Sequence, residues 1–149
     1  MGLYEELKQL EGSELGTGDW MEVTQERISA FADATDDHQW IHVDPEKATA
    51  GPFGTTIAHG YLTLSLIPAL GQGIELPITT VPKMGINYGL NRVRFPAPVK
   101  VGSKVRARRV LKEVTEFQGG VQLVIEVTVE IDGEAKPGCV AETVSRLYA

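Results

Sequence analysis

The sequence predicts an α+β fold in which one long antiparallel β-sheet wraps around a single buried α-helix. Three observations carry this. From about Thr56 the text IAHGYLTLSLIPALG is apolar almost all round, with only His59, Thr63 and Ser65 polar, as a helix buried on most sides must be. The second half of the chain holds four segments that alternate apolar and polar residues with the period of a strand. A single helix of that kind and a sheet with one apolar face satisfy each other when the sheet wraps around the helix.

Each element has its own signal. Thr24 is a helix N-cap before QERISAFADAT, whose Ile28, Phe31 and Ala32 share one face. The polar run TDDHQWIHVD follows, and then Asp44 and Pro45 start a helix of one or two turns over DPEKATA, ending near Gly51. GPFGTT is a loop leading into the apolar helix, which Pro68 should kink or end. A second loop, GQGIELPITTVP, leads to the strands. VQLVIEVTVEI (121–131) places Val121, Leu123, Ile125, Val127, Val129 and Ile131 on one face. Segments 84–95 and 103–116 also alternate, with one phase slip in each, near Asn91 to Arg92 and near Arg108 to Arg109, and such slips predict β-bulges. A last strand spans about Val140 to Tyr148 after a turn at Asp132 and Gly133. With no repeat, linker or low-complexity segment, one domain is expected over residues 1–149, in the arrangement known as the hot-dog fold.

Composition narrows the function. The chain has 149 residues, 42% hydrophobic and 23% charged, enough for one globular core. Its one cysteine, Cys139, excludes an intramolecular disulfide and points to a reducing compartment without a thiol-ligated metal. The N-terminus lacks an apolar run of signal-peptide length, and no stretch of about 20 apolar residues could span a bilayer. A cytoplasmic protein without a membrane partner is expected. Fourteen Lys and Arg against twenty Asp and Glu leave a net charge of −6, which argues against nucleic acid as a partner. Between Leu76 and Lys112, however, stand nine basic residues and no acidic one. That stretch could meet an anion, or it could be a strand face balanced by acids on a neighbouring strand.

All three histidines, His38, His42 and His59, fall in a 24-residue window with Asp36, Asp37 and Asp44. Three readings stay open on the residues alone. They could be loop residues capping helix ends. His38 and His42, four apart with carboxylates beside them, could hold a metal, although only His59 is left to complete a ligand set. Or Asp37 and His42 could converge on one water for acid/base catalysis, since histidine titrates near neutrality and a carboxylate can orient or deprotonate water. Gly60, near the start of the apolar helix, offers a backbone N–H to an oxygen that gains negative charge. A helix glycine can equally serve close packing.

The runs TDDHQWIHVDPEKA and GPFGTTIAHGYLTLSLIPAL resemble the MaoC-like dehydratases, or (R)-specific enoyl-CoA hydratases, and especially their single-domain NodN-like branch. The family pattern is Gly-Asp-x-Asn-Pro-[Leu/Ile/Val]-His-x-Asp. It places Asp37 at the catalytic aspartate, His42 at the catalytic histidine and Asp44 at the trailing aspartate. Asp36, Gln39 and Trp40 depart from its glycine, asparagine and proline without changing the spacing of the pair. RVRFPAPVKVGSKVRAR also resembles the family, so the likeness covers about residues 20–148. The resemblance implies reversible syn hydration of a trans-2-enoyl thioester to an (R)-3-hydroxyacyl thioester. Asp37 and His42 would hold the water, and the Gly60 backbone N–H the thioester oxygen. It implies no metal and no cofactor, and a homodimer joined sheet edge to sheet edge. The substrate would be an acyl-CoA or acyl-carrier-protein thioester, with CoA phosphates received by the basic stretch and the acyl chain by a tunnel formed from residues between Pro52 and Leu76.

Two alternatives differ in class or product. A hot-dog acyl-CoA thioesterase would carry a carboxylate on or beside the central helix, yet residues 56–74 contain no Asp or Glu. A non-catalytic acyl-thioester-binding subunit would have no need of both Asp37 and His42.

Overall fold

The computed structural model describes residues 1–149. Its strands are β1 (Glu14–Thr17), β2 (Met21–Glu22), β3 (Met84–Arg94), β4 (Lys104–Phe117), β5 (Gly120–Ile131) and β6 (Cys139–Tyr148). They form one antiparallel sheet in the order β1-β4-β5-β6-β3, with β2 also paired to β4. The four long strands stand where alternation places them. Along β5, Val121, Leu123, Val127, Val129 and Ile131 are buried while Gln122, Glu126, Thr128 and Glu130 remain partly exposed, because a half-covered sheet separates its two faces with period two.

Helices α1 (Leu3–Lys8), α2 (Gln25–Thr35), α3 (Trp40–Val43), α4 (Pro45–Thr49) and α5 (Gly60–Ser65) complete the fold with a 3₁₀ turn over Ala69–Gly71. The Thr24 hydroxyl accepts from the Arg27 N–H and Asp44 accepts from the Lys47 N–H, so both predicted caps form. Residues of α5 and the turn after it, Leu62, Leu66, Ile67 and Leu70, join Val105, Ala107, Val127, Val129 and Ala141 of the sheet in the main core. No helix is long and apolar enough to cross a membrane.

Three expectations need correction. The central helix begins at Gly60, not near Thr56. Ile57 bridges to Lys100, Ala58 N–H donates to Val99 O, and Val101 N–H donates to Thr56 O, so residues 56–58 are committed to extended pairing. Nor is α5 buried on most sides, for Tyr61 is 71% exposed and Ser65 lies on the same open face. Pro68 does close the helix, which ends at Ser65 and passes through a turn into the 3₁₀ segment.

The third correction concerns the strand irregularities. In β3 the expected bulge falls at Asn91, and a second one occurs at Tyr88. In β4 the extra residue is Lys112, opposite the Val124 to Ile125 step, not Arg108 or Arg109. Arg109 keeps the inward phase. Its guanidinium donates to the carbonyls of Ile67 and Leu70, capping the end of the central helical segment. It lies flat over Gly71, where an added Cβ would come within 2.9 Å of its Cζ. A charge on the inner face looked like a slip of phase because its partners are backbone oxygens.

The sequence pattern did not reveal α1, β1 or β2. Leu3 and Leu7 of α1 pack on Leu111, Val114, Val121 and Leu123, a second apolar cluster over the far half of β4 and β5. Glu6 on the outer side of α1 accepts from the N–H groups of Thr79 and Thr80 and from the Thr79 hydroxyl, tying the long loop before β3 to the N-terminal helix.

Candidate active site

The site is assembled from three successive pieces of chain. Helix α2 stops at Asp36, the one non-glycine residue with positive φ (60°), and this left-handed turn redirects the chain so that Asp37 leaves the helix axis. One turn later α3 carries His42. The extended segment 56–58 then delivers His59 as the residue immediately before α5.

These pieces are locked by polar bonds from the backbone. His42 Nδ1 lies 2.7 Å from Ile57 O, and Ile57 N–H donates to Ile41 O. A ring nitrogen facing a carbonyl carries the proton, so His42 is the Nδ1–H tautomer and its Nε2 is a bare acceptor. Gln25 was not singled out from sequence. Its amide donates to His42 O at 2.8 Å and accepts from the Thr56 hydroxyl at 2.6 Å, joining both walls of the site. Its signal was position alone, one residue past the cap of α2.

His42 and His59 are buried, whereas Asp37 is exposed. One nitrogen from each imidazole and one Asp37 carboxylate oxygen lie within 4.8 Å of one another. The two imidazoles stack with centroids 3.8 Å apart and planes 22° from parallel. Burial holds the His42 imidazole below its usual pKa. The neighbouring His59 acts in the same direction, while the Ile57 hydrogen bond and the Asp37 charge oppose. Stacked imidazoles hold their in-plane lone pairs in two separate, nearly parallel planes, so one ion cannot lie in the plane of both rings as a shared metal ligand set requires. His38 stands apart, exposed, with Nε2 2.8 Å from Asp33 Oδ1. The structure therefore brings His59, not His38, to His42.

Gly60 is the first residue of α5. Its N–H has no acceptor within the protein, as is general for the first turn of a helix. The close-packing reading is met as well, since a Cβ on Gly60 would lie 3.1 Å from the Phe95 ring. A cavity of about 340 Å³ is lined by Gly60, Ala58, Thr63, Phe53 and Phe95. A larger one of about 580 Å³ opens further along, between Leu64, Ile67 and Pro68 on one side and Tyr88, Leu90 and Ile125 on the other. Asp37 and His42 line neither of these cavities.

The basic stretch does not form one patch. Arg109 turns inward, Arg106 pairs with Glu130 at 3.1 Å, and Arg108 is 4.0 Å from Glu14. Part of it is thus a strand face balanced by its neighbours.

A family model described as MaoC like domain matches residues 6–134. The 3-hydroxyacyl-thioester dehydratase Z of Mycobacterium tuberculosis is 55% identical over 139 residues, covering 93% of this chain and 91% of that protein. Nodulation protein N of Rhizobium leguminosarum bv. viciae is 52% identical over 137 residues, covering 90% and 84%. Among solved structures, the (R)-hydratase from A. caviae involved in PHA biosynthesis superposes with a TM-score of 0.73 at 25% identity, covering 92% of this chain and 96% of that one.

Proposed function

The chain belongs to the MaoC-like dehydratase family, and on that premise we propose that it interconverts trans-2-enoyl-CoA and (R)-3-hydroxyacyl-CoA thioesters. The observation that carries this reading is the pairing of Asp37 with His42 in its Nδ1–H tautomer. A carboxylate and a bare Nε2 are both acceptors, so a water molecule can give one hydrogen to each and keep a lone pair for carbon. In the hydration direction its oxygen bonds to C3 while the pair takes one of its protons. The C2–C3 π electrons pass toward the thioester carbonyl, whose oxygen gains negative charge opposite the free N–H of Gly60. When that charge returns, C2 takes a proton from the pair, and Asp37 and His42 end as they began. Dehydration runs the same steps backward.

The low pKa of His42 supports this assignment, because a neutral imidazole is the form able to accept. The acyl chain would follow α5 from Gly60 to the cavity beside Leu64, Ile67 and Pro68. Relatives named for a 3-hydroxyacyl thioester and for 3-hydroxybutyryl-CoA support a thioester substrate. A second copy of the chain would cover β3, the long strand at one end of the sheet.

The test is loss of enoyl-thioester absorbance with crotonyl-CoA and a longer trans-2-enoyl-CoA, with chiral analysis of the product. Formation of the (R)-3-hydroxy product is expected. Folded Asp37→Asn and His42→Gln proteins should each lose at least about 100-fold in kcat/KM. Release of free CoA thiol, or an Asp37→Asn protein as active as the parent, would sink the reading.

A further inference from the structure

We propose that His59 is a positioning residue for this reaction, holding Asp37, His42 and Gly60 in one unit. The inference rests on the dehydratase reading above and goes beyond the Asp37 and His42 pair. His59 Nε2 lies 2.9 Å from the backbone carbonyl of Asp37, so it is the donor, and Nδ1 is left as the bare nitrogen. The His59 ring stacks on His42 and meets Phe31 edge-on at 5.0 Å. Its own peptide leads directly into Gly60. A single side chain thus touches the backbone of Asp37 and the ring of His42, from the residue that precedes the N–H assigned to the thioester oxygen.

A role in packing alone would not select histidine here. His59 is 3% exposed and its Nδ1 is buried without a hydrogen-bond partner in the protein, a cost that an apolar ring against Phe31 and His42 would avoid. What histidine supplies and an apolar ring cannot is the Nε2–H that grips Asp37. Asp37 needs that grip. Its side chain is exposed, and the only hydrogen bond to its carboxylate is a long one of 3.5 Å from the Gln39 N–H. Its carbonyl is therefore the handle by which the buried core can set its position.

The titratable groups facing His42 are Asp37, from the loop after α2, and His59 itself; Gln25 from α2 and the Ile57 carbonyl are neutral. Removing the second imidazole relieves part of what holds His42 neutral, so its protonation should move to higher pH.

The decisive comparison is His59→Gln against His59→Met in the full-length protein, two side chains of matched shape of which only Gln carries an N–H at the reach of Nε2. His59→Phe serves as the variant that keeps a ring in the stack. The expected result is a fall of about 10- to 100-fold in kcat for His59→Met and His59→Phe with little change in KM. His59→Gln should recover at least about threefold over His59→Met. The acid limb of the kcat/KM profile should shift to higher pH in all three, and an NMR titration of the His42 ring in His59→Gln reads the same shift without turnover. Equal activity of His59→Gln and His59→Met, with an unmoved acid limb, overturns the proposal. Asp37→Asn assayed alongside separates the two levels: if it stays active the dehydratase assignment itself falls, and if it is inactive the comparison at position 59 bears on His59 alone.

Discussion

Asp36 occupies the left-handed turn that ends α2, at the position where the family pattern carries glycine. Aspartate tolerates that conformation better than most residues, but glycine does so without a Cβ penalty. Asp36→Gly should therefore stabilise the protein by about 0.5–1 kcal/mol, read as a higher urea midpoint at unchanged m-value. Trp40, at the family's proline, is accommodated by Gly51, whose added Cβ would meet the ring at 2.9 Å, and by Lys47 over its face. Glu6 gives a pH signature of its own. Hydrogen bonds from Thr79 and Thr80 lower its carboxyl pKa to about 2. A folded-state pKa below the unfolded one means the stabilisation is present above about pH 4.5 and is lost as pH falls toward 2. Glu6→Gln should flatten the fall of stability over that window, and a parallel decline in parent and variant would count against the assignment. At this scale the spacing of Asp37 and His42 was legible because both lie within one short segment. The parts played by His59 and Gln25 were not, since their partners come from chain 17 to 31 residues away.

Single elements responded to two kinds of signal. Caps and period-two alternation are local, so α2, α4 and the four long strands were readable before any fold was assumed. The start of α5 was not, because its first apolar residues pair with 99–101 rather than with the helix. Helix α1 had a readable pair, Leu3 and Leu7, in a stretch that otherwise looked only acidic. Arg109 marks the limit of phase arguments, since a cation on the inner face is stable once carbonyls receive its protons. Arg109→Met should leave the Ile67 and Leu70 carbonyls without those donors and cost about 1–3 kcal/mol. Chemical denaturation would show it, and an unchanged midpoint would mean that solvent satisfies those oxygens. Burial raises the Cys139 thiol to about 11, so the single cysteine is a core residue rather than a nucleophile.

For the whole molecule the open question is the β3 edge. Met84, Ile86, Tyr88 and Leu90 are exposed large side chains on a strand paired on one side only. A long apolar edge of this kind invites another strand. Sedimentation should give twice the mass of the 16.2 kDa chain, and Ile86→Asp with Leu90→Asp should halve it. A parent protein that sediments as a single chain would leave β3 to another partner. The larger cavity is also lined by Tyr88 and Leu90, so dissociation should depress turnover of long acyl chains more than of short ones.

The sequence by itself determined the layer arrangement, the long strands and the spacing of Asp37 and His42, because alternation, capping and a short motif are written in neighbouring residues. Tertiary structure decided where α5 begins, which way Arg109 faces, and that His59 rather than His38 joins His42. Those outcomes depend on backbone groups finding partners across the fold, and a carbonyl that accepts from a distant side chain leaves no mark in the residue that carries it.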